Sequence, residues 1–181
     1  MSASYQMRDQ TSMFQRIVQQ YSRNAIVVLT AGLVVSIYGL YVEISSEANP
    51  NYRAACDLSA LISCTKALNS EYGRGFGLIG KVFGDDSILN QKNAVYGTVG
   101  FSVLGVLQLS QSDFSTIISL LAAILMNIST VYLFIVQLHL KTICLVCYSI
   151  YTVNFLFLIV TLKRNDAIYK MKNQKQKEKK N

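Results

Sequence analysis

Charge, histidine and tryptophan are scarce in this sequence. Only 15% of its 181 residues are charged, one is a histidine, His139, and none is a tryptophan. With 51% hydrophobic residues and a positive mean hydropathy, so few charges cannot cover a water-soluble domain of this size, which points to an integral membrane protein. A lone histidine offers no haem site. The glycine run "GRGFGLIG" has neither the spacing of a dinucleotide fingerprint nor a βαβ pattern after it, so flavin and nicotinamide sites fall away as well. No internal repeat is evident in these residues, and no fused thioredoxin-like domain is expected.

The net charge of +7 is carried by the ends: residues 1–24 hold a net +2, residues 163–181 a net +6, and everything between a net −1. A nucleic-acid binder interleaves basic residues with aromatics along a folded surface. Here the basic residues flank an apolar middle, as cytosolic tails do under the positive-inside rule, so a lipid bilayer and no nucleic acid is expected as partner.

Four apolar stretches meet or approach the roughly 20 residues needed to cross a bilayer. They are Asn24–Ile44, Ala94–Leu109, the run starting at Phe114, and Thr142–Val160, which ends at Lys163 and Arg164. Arg8, Arg16 and Arg23 precede the first, which reads as an uncleaved signal anchor. The second contains Gly97, Gly100 and Gly105, expected to permit close helix approach. The expected organisation is an all-α, four-transmembrane-helix bundle: a cytosolic segment 1–24, a transmembrane domain 25–162 with a long non-cytosolic loop 45–93, and a basic cytosolic tail 163–181, expected to be frayed. The turn "SQSDF" at 110–114 falls on the cytosolic side without Lys or Arg. Lys177 and Lys179 resemble a dilysine signal for retrieval to the endoplasmic reticulum, and the sequon at Asn127 lies inside a span, where glycosylation is not expected.

All four cysteines fall on the non-cytosolic side or at its membrane edge. Cys56 and Cys64 close the loop "CDLSALISC", and Cys144 and Cys147 open the fourth span. In an oxidising lumen both pairs can form disulfides, either as redox couples or as inert staples. Four thiolates can also hold zinc, but these spacings match no familiar zinc module and no metal is expected. Cys144 stands in the first turn of a helix, where unsatisfied N–H groups favour a thiolate. Cys144, Cys147, Tyr151 and Asn154 follow i, i+3, i+7, i+10 and so form one polar stripe descending into the membrane. Polar groups at that depth face a cavity or protein, which marks a site for a lipid-soluble, two-electron acceptor such as a quinone. No tightly bound cofactor is indicated; the cysteines themselves would carry the electrons.

The loop "CDLSALISC", the stretch "YGRGFGLIGKVFGDDSILNQKNAVYG" and the helix "CLVCYSIY", in this order within a four-span chain, closely resemble the vitamin K epoxide reductase family over roughly residues 25–165. The family usually has tryptophan where Tyr72 stands and often phenylalanine where Tyr96 stands. The resemblance implies a four-helix bundle around the quinone, capped by a luminal loop with a short helix and a membrane-dipping anchor, to which Phe76, Leu78, Ile79 and Phe83 would belong. It implies that Cys144 and Cys147 are the active-site couple, that Cys56 and Cys64 relay electrons from luminal thioredoxin-like or protein-disulfide-isomerase-like donors, and that Asn93 and Tyr151 hydrogen-bond the quinone oxygens. Asp57, Phe76, Tyr72 and Leu140 are supporting candidates. The implied activity is reduction of vitamin K epoxide or vitamin K quinone in the endoplasmic reticulum membrane, with both termini cytosolic and the cysteines luminal. A quinone-linked oxidase that makes disulfides for folding proteins shares the same wiring, and a non-enzymatic four-span scaffold with a stapled loop is the other reading of the cysteines.

Overall fold

Apolar sequence with few helix breakers folds here into helices joined by one long irregular segment. The computed structural model describes residues 3–110 and 112–180; Met1, Ser2, Gln111 and Asn181, and the side chains of residues 3–8, 113 and 178–180, Arg8 and Lys179 among them, lie outside the described residues. The elements are α1 (Ala3–Ala48), α2 (Cys64–Leu68), two 3-10 turns (Glu71–Gly73 and Gly75–Gly77), α3 (Ile79–Phe83), α4 (Asn93–Leu107), α5 (Asp113–His139) and α6 (Leu145–Lys180). Among the described residues there is no strand, only two isolated backbone bridges.

Three helices, α1, α5 and α6, are long and apolar enough to cross a membrane; α4 is apolar but has 15 residues, about 22 Å of rise. Their outer faces carry exposed large apolar side chains, among them Val34 and Ile37 of α1, Val99 and Val103 of α4, Leu121 and Ile128 of α5, and Phe155 of α6. An apolar belt of this extent is at home in lipid, not water. The inner faces meet in one core, where Ala25 and Leu29, Phe101 and Leu104, Ala123, and Val153 and Phe157 bring α1, α4, α5 and α6 together.

Of the three glycines of α4, only Gly97 allows a close approach: a Cβ there would come within 2.5 Å of Ser36 Oγ on α1. Gly100 and Gly105 face open space, so the expectation that all three serve helix packing is corrected.

The termini also differ from expectation. α1 begins some twenty residues before the first apolar run, and α6 continues through the basic tail. The two extensions are paired, with Val18 buried against Ala167 and Ile168, and Ile17 and Tyr21 packed around them. The tail therefore does not fray after Arg164: apolar residues at 167, 168 and 171 share a face and find a partner in the N-terminal arm. Arg164 itself is fully buried and donates to Ser110 O at 2.8 Å, tying α6 to the turn between α4 and α5.

Candidate functional site

The segment between α1 and α4 is organised by one carboxylate. Asp57 Oδ1 accepts from Ser63 Oγ at 2.9 Å and Thr65 N at 3.1 Å, and Oδ2 from Ala54 N at 3.0 Å and Thr65 Oγ1 at 2.5 Å. Burial works against its charge, but these hydrogen bonds outweigh it and hold the carboxyl below its usual range. Asp57 is thus the knot of the cysteine loop. Ser63 and Thr65, which sequence reasoning did not single out, complete it, and Ser63 also caps α2 by accepting from Lys66 N.

That knot brings Cys56 and Cys64 together in a disulfide with Cα atoms 5.9 Å apart. The same loop is clamped to the start of α6: Ser63 N donates to Ile143 O at 3.0 Å, and Ile143 N to Leu61 O at 2.7 Å. Cys64 and Cys144, each one residue beyond this clamp, are fully buried in one cluster with Val42, Val146 and Cys56. Cys144 and Cys147 are free thiols here, whereas both pairs were expected as disulfides. Cys147 N–H points at Cys144 Sγ at 3.2 Å, the helix-start donor that the sequence predicts. Cys56, Asp57 and Cys64 offer donor atoms within 4.8 Å of one another, but the disulfide and the hydrogen bonds already engage them.

Beside the thiols lies a predominantly apolar cavity of about 300 Å³. Cys147, Tyr151, Asn154, Asn93, Phe76, Tyr72 and Leu140 all border it. Cys144 does not; it precedes the first helical residue and is covered by the loop, so the polar stripe on α6 enters the cavity at Cys147.

Tyr151 donates its hydroxyl to Gln137 Oε1 at 3.3 Å, and Asn154 Nδ2 donates to Thr130 Oγ1 at 2.9 Å, so two α5 side chains complete the polar wall. Gln137 and Thr130 were missed. A glutamine within an apolar span was the available signal, because buried polar groups in membranes are rarely idle.

Asn93 is the first residue of α4, after the cap residue Lys92, and its side chain serves the loop instead of its own helix. Oδ1 accepts from Phe76 N at 2.9 Å, and Nδ2 donates to Tyr72 O at 2.7 Å. An amide has two N–H bonds, so one remains for another acceptor. Phe76 O in turn accepts from Tyr132 of α5 at 3.1 Å. Held on both sides, Phe76 adopts φ +58 between Gly75 and Gly77, both also at positive φ. A Cβ at Gly77 would press to 2.5 Å from the Tyr72 ring, so glycine is required there. The outcome corrects the anchor assignment. Phe76 turns inward, stacks on Tyr96 at 5.5 Å and borders the cavity, while Leu78, Val82 and Phe83 are exposed.

Residues 24–162 match the Vitamin K epoxide reductase family. Over 135 residues, 74% of this chain and 84% of the relative, the sequence is 33% identical to Vitamin K epoxide reductase complex subunit 1 of Rattus norvegicus, and equally so to the protein of that name from Mus musculus. The matched region takes in every cysteine and the whole cavity wall, and the chain belongs to the vitamin K epoxide reductase family of membrane oxidoreductases.

Proposed function

We propose that this protein reduces vitamin K epoxide, vitamin K quinone or both to the hydroquinone, in the endoplasmic reticulum membrane, with electrons delivered by luminal thioredoxin-like or protein-disulfide-isomerase-like proteins. The observation that carries the reading is the division of the second thiol pair: Cys147 opens on the apolar cavity while Cys144 is buried beside Cys64. In this reading α4 is a fourth, short span, the long loop and its short helices form a luminal cap, and both termini are cytosolic.

The relay starts when a donor thiolate attacks Cys56, breaking the Cys56–Cys64 bond and leaving Cys64 as thiolate. The donor's second thiol resolves the mixed disulfide and departs oxidised. Cys64 then attacks Cys144 of an oxidised Cys144–Cys147 pair, and Cys56 resolves that mixed disulfide. The loop is left oxidised and the helix pair reduced. Cys147 next bonds to the substrate ring. Cys144 attacks Cys147 sulfur, the carbon–sulfur bond breaks, and its electron pair stays with the ring, so two thiol electrons and two protons convert quinone to hydroquinone. On the epoxide the same count yields quinone and water. The free N–H of Asn93, and the Tyr151 hydroxyl once its proton turns from Gln137 to the substrate, donate to the oxygens where charge develops, each worth on the order of 3 kcal/mol in a dry pocket.

The test is turnover of vitamin K epoxide, vitamin K quinone and ubiquinone by purified protein. With a small dithiol, Cys144→Ala and Cys147→Ala should be inactive, while Cys56→Ala and Cys64→Ala stay active and fail only with a protein donor. Retained turnover in either of the first two variants would refute the relay.

A further inference from the structure

The geometry points to Glu43 as the proton-exchange residue that links the redox sulfur of Cys147 to water outside the bundle. This rests on the quinone-reductase reading and adds a path for its protons.

Glu43 continues the face of α1 on which Ser36 and Gly39 border the substrate cavity, one turn nearer the cysteine loop. It is 2% exposed, and neither carboxyl oxygen has a hydrogen-bond partner among the described residues. The cations that could pair with it are engaged elsewhere: Arg74 and Lys92 both bind Glu47, at 2.7 and 2.6 Å. A buried carboxyl without a partner is costly, and a leucine or glutamine would pack there at less expense.

The carboxyl stands between two spaces. On one side is a polar vestibule of about 450 Å³, which Glu43 borders together with Glu47, Arg74 and Lys92, and with Glu71, Lys81 and Asp85 further round the rim. On the other is the substrate cavity, which shares Leu68 and Ser70 as a common wall with the vestibule. Across that wall α1 meets the start of α6: Val42, the neighbour of Glu43, belongs to the cluster against which Cys147 packs, and a Cβ at Gly39, one turn earlier, would lie 3.3 Å from Val146, the neighbour of Cys147. Cys147 approaches from α6, while Arg74 from the loop, Lys92 from the start of α4 and Glu47 from α1 itself line the vestibule beside Glu43.

The proton inventory gives such a residue a task. When Cys147 attacks the ring, its thiol proton passes to the Glu43 carboxylate as the carbon–sulfur bond forms. When Cys144 breaks that bond, the oxygens of the leaving ring need two protons: one returns from Glu43 and the other comes from the Cys144 thiol. Exchange with vestibule water lets Glu43 also discharge or reload between turnovers, so the electrons arrive through sulfur and the protons through a carboxyl.

The experiment uses the full chain in detergent or nanodisc and the variants Glu43→Gln and Glu43→Asp, with two readouts. The first is vitamin K quinone turnover with a small dithiol across pH. Wild type should slow toward acid as the carboxylate takes up its proton, whereas Glu43→Gln should lose on the order of 100-fold in kcat with little change in KM and lack that limb, and Glu43→Asp should recover part of the rate. The second needs no quinone: the rate at which N-ethylmaleimide alkylates Cys147 in the reduced protein, read by mass spectrometry across pH, should change its pH dependence in Glu43→Gln. Retention of the Cys56–Cys64 disulfide in each variant reports correct folding. If wild type fails to reduce any quinone yet the alkylation profile still depends on Glu43, the proposed function falls and the Glu43–Cys147 link stands. If Glu43→Gln matches wild type in the alkylation profile, the inference is overturned, whatever the turnover.

Discussion

Ile62 and Ile143 form a parallel backbone bridge that joins the cysteine loop to the first residues before α6. Through it, two segments 81 residues apart in sequence meet two residues before Cys64 on one side and one residue before Cys144 on the other. Neither helix packing nor the disulfide alone would fix that register; the pair of hydrogen bonds on Ile143 does.

Ile143→Pro removes the N–H that Leu61 O accepts, while proline remains acceptable just before a helix. Turnover driven by a protein donor should fall by about tenfold or more, and turnover with a small dithiol should stay within about twofold. Equal loss in both assays would mean that the bridge supports the fold and not the hand-over.

Asp57→Ala strands the Ser63 and Thr65 donors and should cost about 1–3 kcal/mol of loop stability, seen as faster reduction of the Cys56–Cys64 bond by external thiols. The pH dependence has a definite sign. Because the folded carboxyl is held below its usual range, its stabilisation is fully present above about pH 4 and is lost as pH falls through the lowered folded value. Hydrogen-exchange protection in residues 54–65, taken relative to the intrinsic rate at each pH, should therefore fall on acidification in wild type and be insensitive to it in Asp57→Ala.

Asn93→Ala leaves Phe76 N–H without its acceptor and frees Tyr72 O. The Phe76 ring should then lose its fixed position over the cavity, raising KM for a quinone by about tenfold, and loss of the free N–H donor should lower kcat by on the order of 100-fold. The measurement is steady-state kinetics with a small dithiol, and Asn93→Asp, which keeps the acceptor and loses the donor, should fall between the two.

Tyr151→Phe and Gln137→Leu probe one hydrogen bond from its two ends. Tyr151→Phe should lower kcat by on the order of 100-fold, as removal of an oxyanion donor does. Gln137→Leu leaves the hydroxyl but frees its orientation, so a smaller loss, about tenfold, is expected from the same assay.

The apolar helices and the Cys56–Cys64 disulfide could be read directly, because apolar run length and cysteine spacing are local properties. The faces of α6 were equally legible: Cys147, Tyr151 and Asn154 do share the cavity wall, since helical periodicity fixes them. What escaped is non-local. Asn93 is engaged by residues 17 and 21 positions away, so nothing in its own helix announces that role. Phe76 looked like an anchor because it stands in an apolar run whose Leu78 and Phe83 are exposed, and only the left-handed backbone between Gly75 and Gly77 turns it inward. The tail beyond Arg164 looked like a frayed end because its lysines dominate composition, whereas its fold is decided by three apolar residues and a partner 150 positions earlier.

That pairing of Val18 with Ala167 and Ile168 has a mechanical consequence. Beyond the bundle, α1 and α6 run as two joined helical strands around residues 17–21 and 167–168, so neither can swing there without carrying the other. A bending force or a cut on the first strand near Gln19 would be felt by the second, and through Arg164 by the turn between α4 and α5, at the end of the molecule farthest from its sulfur chemistry.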